Sequence, residues 1–240
     1  MKKLPRSSEL LWLFGIVFVA LGVAICSKAN LGVSMIAAPT FVVQEAIVGL
    51  WNGFSVGVVE YLVQGIVLVI LCFAVRRFNW RYLLAFLVAV IYGYTMNFFL
   101  WLLQGITFDT ILIRWIMLIV GDIIIAFGVA CFFRTYMPLQ VFELFVAELT
   151  DRYRLNIHRV KTIFDITLLF VSVSLSVILF RDVTEFPWET IAYNSYHNLG
   201  LGTLVTTIIN APLINLMSRV VSKVFDNSAR FPKLELFLKR

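Results

Sequence analysis

Gly15-Ile-Val-Phe-Val-Ala-Leu-Gly-Val-Ala-Ile-Cys-Ser-Lys28 decides the predicted fold, because a similar stretch, Gly121-Asp-Ile-Ile-Ile-Ala-Phe-Gly-Val-Ala-Cys-Phe-Phe-Arg134, follows at an offset of 106 residues. Both stretches are apolar and both end in a cation. The identical pairs are Gly15/Gly121, Ala20/Ala126, Gly22/Gly128, Val23/Val129 and Ala24/Ala130. The similarity continues at an offset of 105, where residues 55–63 align with residues 160–168 and Glu60 aligns with Asp165. The sequence therefore predicts a duplicated unit that carries one acid in an apolar helix of each copy.

The composition is typical of a membrane protein. Hydrophobic residues make up 61% of the chain and charged residues 14%, against about 45–50% and about 25% in soluble domains. A soluble fold of 240 residues could not bury this much apolar surface, so lipid is the expected solvent and partner. The net charge of +6 does not indicate a nucleic-acid partner, because the cations lie at helix ends rather than along one basic face.

Six apolar runs are long enough to cross a bilayer, which takes about 20 residues. They are residues 10–28, 54–75, 81–104, 112–133, 160–180 and 199–218. Most of the 20 lysine and arginine residues lie on one side of these spans. The positive-inside rule places that side, with both termini, in the cytoplasm. The run at 10–28 follows Lys2, Lys3 and Arg6 as a signal peptide would, but its recurrence inside the chain favours a retained helix.

Each half of the chain holds three predicted spans. Residues 1–110 form repeat one, residues 111–219 form repeat two, and residues 220–240 form an amphipathic cytoplasmic tail. Because three is an odd number, the second repeat enters the membrane from the opposite side. Inverted repeats of this kind build secondary transporters, whose site lies near the midplane where the repeats meet. The predicted fold is therefore an all-α polytopic membrane protein with two inverted three-helix repeats.

A short apolar segment follows the first span of each repeat, at residues 33–49 and 138–150. Both segments are too short to cross a bilayer easily. They could be re-entrant half-helices, which transporters place around substrates, or amphipathic helices on the membrane surface. Gln140, Glu143 and Glu148 stand against apolar neighbours in the second segment, which favours a surface helix. Both alternatives stay open from the sequence.

Three patterns carry a resemblance to a known family. They are Gly-x6-Gly-Val-Ala in a helix ending in a cation, Asn30-Leu-Gly-Val-Ser34 after it, and Gly200-Leu-Gly-Thr203 opening the last span. Over residues 10–218 the chain resembles the bacterial YczE/YyaS/YitT-type integral membrane proteins. The resemblance implies this architecture and a bacterial inner (cytoplasmic) membrane, and it leaves the reaction open. It also implies an acid in each short helix. Glu143 supplies this acid in the second copy, whereas the aligned residue in the first copy is Ala37.

Ionisable side chains inside a bilayer are expensive unless they are paired or hydrated, so each one is a candidate site residue. Lys28 and Glu60 are predicted to lie at one level of the membrane, and Arg134 and Asp165 at the equivalent level of the other half. We expect two acid–cation pairs, Lys28 with Glu60 and Arg134 with Asp165. Such pairs could act as gates or as substrate and proton sites, or they could only brace helix ends.

Two further groups of residues are binding candidates. Asp122 lies near the predicted midplane, where it could bind a proton or a cation, or else hydrogen-bond Asn97 or Asn210. The second group, Gly200, Gly202 and Thr203, opens the last span. The glycines there could present N–H groups to an anion, or they could simply permit close packing.

No catalytic pattern stands out in the sequence. No His/Asp/Glu cluster has zinc spacing, no glycine-rich loop precedes Lys-Ser/Thr, and no nucleophile lies beside a base. Neither an enzyme, a cofactor nor a metal is therefore predicted. The first hypothesis is a secondary transporter of a small solute working by alternating access, with proton coupling through Glu60, Asp165 or Asp122 as an option. The alternative is a non-catalytic substrate-binding or regulatory membrane subunit of a larger complex, and the oligomeric state is left open.

Overall fold

The computed structural model describes residues 8–48, 53–180, 194–226 and 228–239, and all regular structure in these ranges is helical. The helices in chain order are α1 Ser8–Ala29, α2 Ala38–Val48, α3 Val56–Val75, α4 Arg81–Leu102, α5 Ile111–Phe132, α6 Val141–Tyr153, α7 Ile157–Phe180, α8 Leu201–Val224 and α9 Pro232–Lys239. In the described ranges six helices, α1, α3, α4, α5, α7 and α8, are long and apolar enough to cross a membrane. The predicted all-α polytopic fold with six spans is therefore confirmed.

The described tail is attached to the beginning of α1 and does not extend away from the bundle. Glu9 Oε1 accepts the backbone N–H of Arg230 at 2.9 Å and that of Phe231 at 3.1 Å. The last helix, α9, begins directly after these residues. The N-terminal cations used for the orientation of the chain, Lys2, Lys3 and Arg6, lie outside the described residues.

Helices α1 and α5 contact each other backbone to backbone. A Cβ added to Gly22 would lie 2.6 Å from the carbonyl oxygen of Gly121, and one added to Gly128 would lie 3.1 Å from that of Gly15. Small residues permit such close approach between membrane helices, where packing is a main source of association. Because the first half of α1 meets the second half of α5, the two helices run antiparallel.

The contacts between α1 and α5 occur in pairs. When each residue of a contact is replaced by the residue aligned with it at the offset of 106, the result is another observed contact. Gly22 lies against Ile125, and the residues aligned with these two, Gly128 and Val19, also lie against each other. The other exchanged contacts are Gly121 against Cys26 and Gly15 against Phe132. An interface in which each contact has such a partner is characteristic of a two-fold axis. The two helices therefore make equivalent contacts with each other, as two inverted repeats would.

The remaining helices surround this central pair. Helix α4 contacts α1 and α3, and helix α8 contacts α5 and α7. The short helix α2 packs on α7 and the short helix α6 packs on α3, so each short helix contacts the second long helix of the other half. This arrangement brings residues from both halves to the same interior region.

Both short helices begin inside the protein. Ala38 and Pro39 of α2 are buried, as are Val141 and Phe142 of α6. The prediction that the polar residues of the segment 138–150 lie on the surface is wrong for the beginning of α6. Gln140 and Glu143 are each 1% exposed, because the beginning of α6 lies among α3, α4 and α7. The observed bounds of these helices are Ala38–Val48 and Val141–Tyr153.

Candidate functional site

The interior of the described chain contains a cluster of buried charged residues. Its members are each 3% exposed or less, and they are Glu60, Asp122, Glu143, Lys161 and Asp165. These residues belong to α3, α5, α6 and α7, so both halves contribute. Four carboxyl groups therefore lie in this interior with a single ammonium group among the described residues. We refer to these five residues as the carboxyl cluster.

Neutral donors hold the Glu60 side chain. Thr40 Oγ1 donates a hydrogen bond to Glu60 Oε2 at 2.6 Å, and Gln64 Nε2 donates to Glu60 Oε1 at 2.8 Å. Gln64 in turn accepts the backbone N–H of Val141 at 3.3 Å. Because Thr40 lies in the first turn of α2 and Val141 begins α6, Glu60 is connected to the beginnings of both short helices. The partial positive charge at helix N-termini favours a carboxylate there.

The Asp165 side chain has a charged partner instead. Lys161 Nζ lies 2.6 Å from Asp165 Oδ1, one turn earlier on α7, and Asn210 Nδ2 of α8 donates to Oδ2 at 3.1 Å. The exposed fractions of the two charged side chains are 3% and 0%. A buried ion pair of this kind depends on both partners, because removing one leaves the other charge uncompensated.

Glu143 lies between these two acids. It is the third residue of α6, as Thr40 is the third residue of α2. Its carboxyl group interacts electrostatically with Glu60, Lys161 and Asp165, and its Oε2 atom has no hydrogen-bond partner among the described residues. Burial raises the pKa of the Glu143 carboxyl to about 7, although Lys161 acts to lower it. The Glu143 carboxyl therefore gains or loses its proton close to neutral pH.

Asp122 lies at the middle of α5, about 16 Å from its first residue at 1.5 Å per residue. Both of its carboxyl oxygens are buried without a hydrogen-bond partner in the described part of the chain. The nearby charges are those of Asp165 and Lys161. The expected hydrogen bond to Asn210 is not made, because the Asn210 amide donates to Asp165. Asp122 is therefore available to bind a proton or a cation.

Asn97 was the other expected partner of Asp122, and this expectation is also wrong. Its Oδ1 atom accepts the backbone N–H of Gly57 at 2.8 Å, and its Nδ2 atom donates to Ser55 Oγ at 2.8 Å. These bonds connect α4 to the beginning of α3, whose first N–H groups have no partner within the helix. Asn97 therefore stabilises a helix start.

The predicted acid–cation pairs, Lys28 with Glu60 and Arg134 with Asp165, are not formed. Lys28 Nζ instead donates to the backbone carbonyl of Gln104 at 3.3 Å, and Arg134 Nε donates to Ser218 Oγ at 3.1 Å. The prediction failed because both cations stay at helix ends, whereas the acids are turned towards the interior and find partners there.

The glycines that open α8 serve close packing. The Gly202 N–H donates to the Leu31 carbonyl at 2.8 Å, so it is not free to meet an anion. A Cβ added to Gly200 would lie 2.4 Å from the same carbonyl oxygen. The neighbouring Thr203 hydroxyl is buried and has no hydrogen-bond partner among the described residues. Of the two alternatives left open for this segment, the structure favours packing for the glycines.

Sequence reasoning missed three polar partners of the acids. Gln64 and Lys161 lie four residues from Glu60 and Asp165 respectively, and this spacing places side chains on the same helix face. The spacing is visible in the sequence and could have identified both. No such signal exists for Thr40, because its approach to Glu60 depends on how α2 folds back on α3.

These features define a polytopic helical membrane protein with a charged interior. The chain belongs to a family of unknown function, DUF6198, whose profile matches residues 7–219. The matched region runs from the beginning of the described structure into α8, so the family is defined by the membrane part of the chain. No curated protein and no solved structure is significantly similar to the chain. The resemblance to the YczE/YyaS/YitT-type proteins stays a prediction.

Proposed function

We propose that the protein is a proton-coupled secondary transporter of a small solute. The observation that carries the proposal is the carboxyl cluster, in which four acids share one ammonium group within the described interior. Ionisable groups at membrane depth are expensive and are typical of proton relays and substrate pathways. The surplus negative charge can be compensated by protons or by a cationic solute. A transporter would alternate between the protonated cluster and the cluster with bound solute.

The arrangement of the helices supports alternating access. In this proposal the halves are inverted repeats that cross the membrane in opposite directions, which agrees with the antiparallel contact of α1 and α5. Glu60 and Asp165 occupy aligned positions in the two halves, as expected for a site on the interface between repeats. We further propose that both termini are cytoplasmic and that the membrane is a bacterial inner membrane.

Glu143 is the residue best placed to connect the two halves. It interacts electrostatically with Glu60 of one half and with Asp165 of the other. A change in its protonation therefore changes the interaction energy on both sides of α6. Because α6 packs on α3 and α7, a shift of this helix would alter both contacts together. Protonation of Glu143 can therefore shift the equilibrium between two positions of α6.

The test is solute-driven current in proteoliposomes on a solid-supported membrane. Small amines, amino acids, carboxylates and sugars are applied in concentration jumps at pH 6 and pH 7.5. At least one of these solute classes is expected to produce a pH-dependent current, and Glu143→Gln is expected to reduce it at least tenfold. Asp151→Asn is the matched control, because it removes an exposed acid from the same helix and is expected to leave the current unchanged.

Thermal unfolding with the same solutes separates the two hypotheses. A solute that stabilises the purified protein but produces no current would favour the substrate-binding or regulatory subunit. If no solute in the panel stabilises the protein or produces a current, both the transporter and the substrate-binding subunit are contradicted.

A further inference from the structure

A cavity of about 360 Å³ lies among the end of α5, α7 and α8. Arg134, His158 and Lys161 supply its basic side chains, and Asn215 and Ser218 supply an amide and a hydroxyl. None of the described residues that line this cavity is acidic. The cavity therefore has the chemistry of an anion site.

Arg134 is the strongest anion ligand in this cavity. Its Nε atom is held by Ser218 Oγ at 3.1 Å, and its side chain is half-buried. The guanidinium group makes no ion pair with any described residue. A planar guanidinium matches two oxygens of a phosphate group, which a lysine ammonium cannot do. Lys161 contributes less, because its charge is paired with Asp165.

Two further cavities are linked to this one by shared lining residues. An adjoining cavity of about 580 Å³ shares His158 and Asn215 and adds Arg159, Ile163 and Pro212. Ile163 also lines a groove of about 810 Å³ that is apolar almost throughout and is lined by residues of α2, α3, α6 and α7. A basic site is therefore joined to an apolar surface long enough to hold part of an acyl chain.

We propose that Arg134 and the adjoining His158 and Arg159 bind the phosphate group of an anionic phospholipid, whose acyl chain follows Ile163 into the groove. Basic pockets between membrane helices are a known mode of anionic headgroup recognition. The apolar continuation distinguishes this ligand from a free phosphate, which needs no such surface. Lys161 lines the cavity and also belongs to the carboxyl cluster, but the three proposed phosphate ligands lie outside that cluster, so lipid binding can be tested whether or not the proposed function holds.

The test measures lipid binding to the full-length protein in detergent by native mass spectrometry and by thermal unfolding. Phosphatidylglycerol, phosphatidylcholine and inorganic phosphate are compared. Phosphatidylglycerol is expected to bind and to stabilise the protein, and phosphatidylcholine is expected to bind at least tenfold more weakly. Arg134→Gln is expected to weaken phosphatidylglycerol binding about tenfold, and Arg134→Lys, which keeps the charge, is expected to restore it only in part.

Lys28→Gln is the matched control. Lys28 aligns with Arg134, but it lies in a cavity that also contains Glu45, so its loss is expected to leave phosphatidylglycerol binding unchanged. If Arg134→Gln does not fold, Arg159→Gln tests the same site from its exposed side and is expected to weaken binding about threefold. Equal binding of both lipids, or wild-type binding in the Arg134 and Arg159 variants, would overturn the proposal. Stabilisation by inorganic phosphate that phosphatidylglycerol does not exceed would overturn its lipid part.

Discussion

Glu60 and Asp165 occupy aligned positions in the two halves and are both fully buried, yet their partners differ in kind. Glu60 accepts hydrogen bonds from the neutral side chains of Thr40 and Gln64, whereas Asp165 is paired with the Lys161 ammonium. A hydroxyl can accept as well as donate, so Thr40 can serve Glu60 in either protonation state. An ammonium only donates, which favours a charged Asp165. The two halves are therefore built alike but are not chemically equivalent.

The short helices extend this difference. The third residue of α2 is Thr40, whereas the third residue of α6 is Glu143. By place in the short helix, which differs from the sequence alignment of Glu143 with Ala37, the second half carries an acid where the first half carries a hydroxyl, and it also carries Lys161. The two halves therefore differ in their interior charges, although their first helices make equivalent contacts.

The largest effect is expected from Asp165→Asn. This change leaves the buried Lys161 charge without its partner, and breaking such pairs typically destabilises proteins by about 3–5 kcal/mol. We expect a loss of this size in the free energy of unfolding measured in detergent. The double variant Lys161→Met with Asp165→Asn removes both charges and is expected to recover at least about half of the loss. Equal instability of the single and double variants would show that the ion pair is not the cause.

A smaller effect is expected from Glu60→Gln. The amide can accept from Gln64 and donate to the Thr40 hydroxyl, so the loss in the free energy of unfolding is expected to be about 1 kcal/mol or less. The same unfolding assay in detergent measures it. A loss as large as that of Asp165→Asn would contradict the difference between the two halves, because it would mean that Glu60 also depends on a fixed charge.

A further effect concerns the pH dependence contributed by Glu143. Because the pKa of this buried acid is raised to about 7, the folded protein binds more protons than the unfolded chain between about pH 4.5 and 7. Stability contributed by this group is therefore present at low pH and falls as the pH rises through that window. A shift of this size corresponds to about 2–3 kcal/mol between pH 5 and 8, so we expect Glu143→Gln to reduce the fall in unfolding temperature over this range by about 5–10 °C.

The measurement is thermal unfolding of the wild type and Glu143→Gln at pH 5, 6, 7 and 8. The ionisable groups that face Glu143 are Glu60 of α3, Tyr92 of α4, and Lys161 and Asp165 of α7. They stay in place in the variant, so the change in pH dependence reports the Glu143 charge together with its effect on these neighbours. Parallel curves for the two proteins would show that Glu143 does not titrate in this range.

Sequence reasoning performed well where one helix alone decides the answer. The six spans could be predicted because a segment in lipid must satisfy its backbone hydrogen bonds within itself, which leaves length and hydropathy as sufficient signals. The contact between α1 and α5 at the repeated glycines 15, 22, 121 and 128 was not predicted, although small residues permit such close approach. Burial of Glu60, Asp122 and Asp165 followed from their position in these spans.

The partners of those acids could not be predicted in the same way. Lys28 and Arg134 were chosen as partners from their level along the membrane, but the rotation of each helix decides which side chains meet. Two partners within a helix, Gln64 and Lys161, lie four residues from their acids, a spacing that places both side chains on one helix face. Asn210 and Thr40 come from other helices, so no local pattern identifies them.

The sequence by itself determined the helical membrane fold, because the hydropathy that identifies the six spans is a property of the chain in one dimension. The tertiary structure decided that Thr40 and Val141, at the beginnings of the short helices, lie beside the charged interior, and that Glu143 stands between the two halves. The physical reason is that a buried carboxyl group takes the donors that packing brings within about 3 Å, and packing between helices depends on residues that are distant in the chain.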